Sequence, residues 1–138
     1  MAKSEFYSLM SLRYYMLGWW NEPKIEILKK ERTFSLKPDL FISWQSKTIN
    51  SAYVEIDLST ENYDTLFKKV ENYNLAFETR AYLNENSYKH HKGVIPKVMF
   101  VFDNEQRLLK FNDGIKPSEN GPKYTLITFD KISQIKKS

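Results

Sequence analysis

Three acidic side chains are spaced in a way that bears on chemistry: Asp39 directly after Pro38, and Glu55 and Asp57 separated by one residue. A carboxylate can accept a proton or offer oxygens to a hard cation. Several held close together repel unless protons or cations sit between them. Magnesium or manganese is the natural counter-charge, since such ions take oxygen ligands and keep water in their shell. The same spacing also fits a strand whose solvent face is acidic, so the elements around these residues decide between the two readings.

Residues Ala52 to Leu58 read as a strand, with side chains alternating between faces. Glu55 and Asp57 therefore share one face, while Ala52, Val54, Ile56 and Leu58 fill the other. Leu40 to Trp44 reads as a preceding strand with Asp39 at its start. A hairpin turn at Lys47 to Ser51 makes the two antiparallel and sets Asp39 beside Glu55 and Asp57. A half-exposed strand within Lys24 to Arg32 completes an antiparallel meander of three.

Upstream, the apolar stripe of Phe6, Leu9, Met10, Leu12, Tyr14, Met16 and Leu17 predicts a helix over Ser4 to Leu17. Ser4 is its cap and Gly18 its stop, and Trp19 to Pro23 is then a turn. Downstream, Ser59 and Thr60 stand before a helical stripe of Leu66, Val70, Tyr73 and Phe77 that runs to about Tyr82. Hydroxyls there cap free amides, and Glu61 and Asp64 oppose the positive helix end. Val98 to Phe102 is an almost continuous apolar run, as in a strand buried on both faces. Asp103 is placed to cap a short helix over Glu105 to Phe111. Tyr124 to Phe129 is a last strand, and Lys131 to Ser138 a polar, frayed tail. A long helix between a strand and a later buried strand is a crossover, so the predicted class is α/β with a mixed sheet flanked by helices.

A length of 138 residues suits one compact domain, and 41% hydrophobic with 15% aromatic residues supplies a core. The chain has no cysteine, which excludes disulfide staples and thiolate zinc sites. Phe6 to Trp20 is interrupted by Ser8, Ser11 and Arg13 and reads as neither signal peptide nor membrane span, so no membrane partner and a cytoplasmic location are expected. The net charge of +4 is compatible with nucleic acid without specifying it. No glycine-rich phosphate loop is present.

Pro38-Asp39, a strand, then Glu55-Ile56-Asp57 at a strand end leading into a helix resembles the PD-(D/E)xK nuclease superfamily. The fuller string is Lys37-Pro38-Asp39, then Val54-Glu55-Ile56-Asp57-Leu58-Ser59-Thr60-Glu61, then Leu66, Lys69 and Tyr73. It is similar to one branch, the replication-relaxation proteins of plasmids and mobile elements, from Glu5-Phe6 through the buried strand to Arg107. The resemblance implies a restriction-endonuclease-like core in αβββαβ order. It implies Asp39, Glu55 and the Ile56 carbonyl as magnesium ligands, with metal-activated water attacking a phosphodiester. It also implies DNA and replication or mobilisation proteins as partners. Asp57 stands where the superfamily has its lysine and becomes a third acid. Lys69, one helical turn before Tyr73, is the candidate for the displaced positive charge, or else a salt-bridge partner of Glu55 or Asp57. Proteins of this branch usually carry a winged helix ahead of this region, and this chain starts almost at its first core helix. That fits a single domain, 1–138, excised from a longer protein.

The expected reading is therefore DNA nicking or relaxation, with a catalytically silent domain binding DNA or a replication partner as the alternative. Glu5 and Glu22 are further acids that can assist a metal or simply face solvent. Arg80, Lys89, Lys92 and Lys97, with Tyr88, can line a phosphate-contacting edge, or belong to a merely soluble loop. Arg107 can reach a phosphate or pair with an acid such as Asp103. His90-His91 lacks companions at metal-ligand spacing and reads as a surface pair. Trp19 and Trp20, being adjacent, cannot both be buried on one face of an element, which leaves one as a contact surface.

Overall fold

The computed structural model describes residues 2–90 and 94–134, the side chains of 133 and 134 excepted. The chain runs α1 (Ala2–Ser11), β1 (Tyr15–Asn21), β2 (Ile25–Lys29), β3 (Arg32–Leu36), β4 (Leu40–Gln45), β5 (Ile49–Asp57) and α2 (Tyr63–Glu78). A 3₁₀ turn (Ala81–Asn84) and α3 (Asn86–Lys89) follow, then β6 (Lys97–Phe102), α4 (Glu105–Gly114), β7 (Tyr124–Thr128) and α5 (Phe129–Gln134).

The central sheet has five strands in the order β1-β4-β5-β6-β7. β1, β4 and β5 pair antiparallel, whereas β5, β6 and β7 pair parallel. Parallel neighbours need a crossover; α2 supplies the one from β5 to β6, and α4 the one from β6 to β7. The expected mixed α/β class is observed. The first strand of the meander is Tyr15–Asn21, however, and not the segment after Lys24. That later segment is β2, which pairs with β3 in a separate two-stranded hairpin between β1 and β4.

Alternation along the strands divides the interior into two layers. Phe41, Tyr53, Val98, Phe100 and Phe102 face α2, α4 and the hairpin, together with Leu66, Val70, Tyr73, Phe77 and Phe111. Leu40, Ile42, Ala52, Val54, Met99 and Val101 face the other way, onto Phe6 and Met10 of α1 and Phe129 and Ile132 of α5. α1 stops six residues before the stripe suggests, because the apolar residues from Tyr15 onward belong to β1. Trp19 and Trp20 lie in that strand and not in a turn. Trp19 packs toward Phe6 and Trp20 toward Phe41, so each face takes one indole.

The cap of α2 is Asn62, whose Oδ1 accepts the Thr65 N–H at 2.8 Å. Ser59, at φ 64°, instead donates its hydroxyl to Asp103 Oδ1 at 2.7 Å across the sheet end. Asn104 caps α4, accepting the Arg107 N–H at 2.8 Å, and displaces Asp103 from that role. The predicted frayed tail begins instead as α5, and 135–138 lie outside the described residues. Among the described residues no helix is long and apolar enough to cross a membrane.

Replacing an N-cap Asn by Ala leaves amides at the helix start without a partner. Asn62→Ala is expected to lower stability by about 1 kcal/mol in urea unfolding. An unchanged midpoint would mean that α2 does not depend on this cap.

Candidate functional site

β5 extends past the start of β4, and the acids gather at that overhang. Leu40 pairs with Val54, so Asp39 stands opposite Glu55 on the α2 side of the sheet. Where β4 no longer supplies backbone, the Asp39 carboxylate takes its place: Oδ2 accepts the Ile56 N–H at 2.7 Å. The Asp39 carbonyl accepts the Glu22 N–H at 3.0 Å, which ties the start of β4 to the end of β1.

Glu55 is 3% exposed, and both of its oxygens are engaged. Lys69 Nζ donates to Oε1 at 3.1 Å and the Tyr73 hydroxyl to Oε2 at 2.6 Å. Lys69 and Tyr73 are one turn apart on α2, which brings both over the same strand residue. Lys69 also donates to Glu61 Oε1 at 2.8 Å. Burial pushes the Glu55 carboxyl up to about 7; the Lys69 ammonium opposes this, and the Asp39 charge adds to it. Burial lowers the Lys69 pKa, but Glu55 and Glu61 outweigh it and raise the value overall. Burial and the neighbouring Glu55 keep the Tyr73 phenol protonated.

Asp57 faces the same layer but belongs to a different partnership. Arg107, in the first turn of α4, donates Nε to its Oδ2 and one terminal nitrogen to Oδ1 at 3.0 Å. The same guanidinium also donates to the Glu61 carbonyl and lies over the Tyr63 ring at 4.8 Å from the centroid. The side chains are 1% and 11% exposed for Asp57 and Arg107, so this is a buried, two-pronged ion pair. Asp57, expected as a third acid, is thus neutralised by Arg107, which pairs with this acid and not with Asp103. Among the described residues no three His, Cys, Asp or Glu side chains converge as a metal site.

The remaining expectations separate. Glu5 is exposed on α1, which packs on the opposite face of the sheet from Glu55. Glu22 is exposed and contributes its backbone. Arg80 and Lys89 are exposed and donate no hydrogen bond to the acid cluster, and Lys97 is half-buried at the start of β6. Tyr88 is 8% exposed, edge-on to Tyr82, and is core instead of a stacking platform for bases. His90 contacts the Asn86 carbonyl at 2.9 Å and the Trp20 ring. Lys92 and His91 lie outside the described residues. Sequence reasoning missed Glu85, 3% exposed, which accepts from the Tyr53 hydroxyl at 2.8 Å and from the Ser87 and Tyr88 amides. Its position directly before a short helix, as a cap, was the available signal.

A carboxyl whose pKa is higher folded than unfolded makes the folded state the better proton binder. That contribution is complete below the ordinary value of 4.5 and is lost as pH rises through about 7. Wild-type melting temperature is therefore expected to fall relative to Glu55→Gln across that interval; parallel curves would show that Glu55 ionises without penalty. Arg107→Ala leaves the Asp57 charge buried and alone, with an expected loss of about 3 kcal/mol or more in chemical unfolding. Adding Asp57→Asn to it is expected to recover part of that loss, and strict additivity of the two changes would refute the coupling.

The replication-relaxation family model matches residues 4–98. That span includes Asp39, Glu55, Asp57 and Lys69 and ends in β6, so Arg107 and α4 lie beyond the matched region. No curated protein and no solved structure matches the chain. With most of the length matched, from α1 through the β5-α2-β6 crossover that carries the acid cluster, the chain belongs to the replication-relaxation family, which places it in plasmid or mobile-element replication.

Proposed function

We propose that this chain is a DNA-binding domain of plasmid or mobile-element replication, built on a restriction-endonuclease-like core whose acid cluster is neutralised from within. One observation carries the reading: each acid at the end of β5 already has its counter-group. Asp57 has Arg107, Glu55 has Lys69 and Tyr73, and Asp39 has the Ile56 amide. An acid cluster that serves a cation needs oxygens turned toward a common vacancy. In this arrangement the carboxylates turn toward protein donors, which supports a structural network fixing β4, β5, α2 and α4 to one another. The element order supports the core assignment, because α1, β1, β4, β5, α2 and β6 follow the αβββαβ plan once the hairpin is set aside. Family membership and the net charge of +4 support DNA as the partner.

A second reading, metal-assisted nicking or relaxation, is favoured by the juxtaposition of Asp39, Glu55 and Lys69. Magnesium can be held by two carboxylates and waters. Asp39 and Glu55, with the Ile56 carbonyl, are the residues that would hold magnesium or manganese, which would supply an activated water. Lys69 would then release Glu55 and stand as the positive charge beside the scissile phosphate.

Supercoiled plasmid incubated with the protein and magnesium or manganese separates the two. The first reading expects DNA retention, no cation-dependent rise in melting temperature, and no nicked product. Nicking that is lost in both Asp39→Ala and Glu55→Gln, accompanied by a manganese-induced stabilisation lost in the same variants, would establish the second.

A further inference from the structure

The β2–β3 hairpin stands apart from the five-stranded sheet, and its apolar residues anchor it. Ile25 and Ile27 are fully buried and Leu36 is 5% exposed, all within the layer beneath α2. Ile25 pairs with Leu36 and Ile27 with Phe34. One step farther out on that same face the pair is Lys29 opposite Arg32. Like charges set directly opposite on neighbouring strands repel. Lys30 follows in the turn, so three cations crowd a two-residue connection in which Glu31 is the only acid.

Lys29, Lys30 and Arg32 are all exposed, and none forms an ion pair among the described residues. Glu26, the other acid of the hairpin, is engaged by Lys24 at 2.9 Å near the base. The turn itself is unfavourable for the residues that occupy it. Lys30 and Glu31 hold φ of 49° and 65°, positions that Asn and Gly usually take in such turns. The tip therefore keeps charge where both strand pairing and turn chemistry disfavour it.

We infer that the hairpin tip is a DNA-contacting arm that lays Lys29, Lys30 and Arg32 on the phosphates of a duplex. This rests on the DNA-binding reading above and names the element responsible. A polyanion relieves the repulsion at the tip. A two-stranded ribbon fits the B-DNA major groove, which is about 12 Å wide. Beyond the buried Ile27, the strands continue for two cross-strand pairs, Leu28 with Thr33 and Lys29 with Arg32, and these form the exposed tip. The base of the arm is fixed: β3 leads through Lys37 and Pro38 into Asp39, and the Glu22 amide bonds the Asp39 carbonyl. Phosphate contacts position a protein and carry no base information, so the contribution of the arm is independent of sequence and sensitive to salt.

The test is fluorescence anisotropy of the full chain with short labelled duplexes of unrelated sequence, over a series of salt concentrations. Lys29→Ala/Lys30→Ala/Arg32→Ala is expected to bind every duplex on the order of tenfold more weakly or worse, with log K against log salt shallower by about 2 to 3. A second variant, Lys30→Asn/Glu31→Gly, is expected to raise the melting temperature while flattening the slope by about 1. Lys116→Ala/Lys123→Ala, at two exposed lysines away from the hairpin, serves as a control of removed charge and is expected to change the slope less than the triple variant does. Wild-type binding with the triple variant unchanged in affinity and slope would overturn the arm and leave the DNA-binding reading standing. Wild-type chain that ignores duplex DNA at low salt, or prefers RNA or an acidic protein, would overturn both.

Discussion

Burying two carboxylates, Glu55 and Asp57, at the end of a central strand obliges the fold to bring donors to both of them. A buried charge left without a partner costs more than most single contacts contribute, so these pairings restrict which arrangements of the flanking elements are acceptable. Lys69 and Tyr73 fix the axial position of α2 over Glu55, and Arg107 fixes the start of α4 over Asp57. Glu61 joins the two, accepting Lys69 on its side chain and Arg107 on its carbonyl. The aromatic layer beneath is less selective: Phe100, Phe102 and Phe111 stack and tilt at centroid distances of 4.9 to 6.5 Å, geometries that neighbouring registers can approximate. Direction comes from the polar cluster and bulk stability from the rings.

Charge is therefore handled in two ways within one small domain. At the end of β5, Asp57 is paired with Arg107, Lys69 is shared by Glu55 and Glu61, and Asp39 is held by the Ile56 amide. Outside, some cations pair with acids, as Lys24 does with Glu26 and Lys68 with Glu71, whereas Lys29, Lys30 and Arg32 at the tip of the hairpin form no ion pair among the described residues. The two regions meet at Lys37-Pro38-Asp39, where Pro38 is buried and Asp39 half-buried. The proline limits the backbone at this junction, and the next residue begins the register of β4.

Alternation and the crossover were legible from residue types alone. Placing Glu55 and Asp57 on the face opposite Ala52, Val54 and Ile56 needs no more than the period of a strand. A long amphipathic helix followed by Val98-Met99-Phe100-Val101-Phe102 indicates a parallel neighbour. Two things were hidden. Tyr15 to Trp20 carries as much apolar character as the helix before it, and a short apolar run does not distinguish strand from helix. The turn at Lys30-Glu31 lacks the glycine or asparagine that announces a tight hairpin, so the half-exposed strand read within Lys24 to Arg32 runs through the turn and β3 goes unrecognised. For the acids, sequence gave their common face but not their partners. Arg107 reaches Asp57, while Asp103 accepts from the Ser59 hydroxyl; which acid it meets is invisible until the end of β5 and the start of α4 are placed side by side.

The hairpin also bears on how the chain finds its shape. β1 must meet β4 across the whole intervening segment, with Asn21 aligned to Leu40. Closing a long flexible loop carries an entropic penalty that grows with its length. Because β2 and β3 pair through a two-residue turn, they can zip on the microsecond scale and draw Ile25 up to Leu36. What remains free is then a few residues on either side, and β1 finds its neighbour almost as a local event. The parallel pairing of β5 with β6, which joins residues as distant as Ala52 and Lys97, is left as the slow, nonlocal step of assembly.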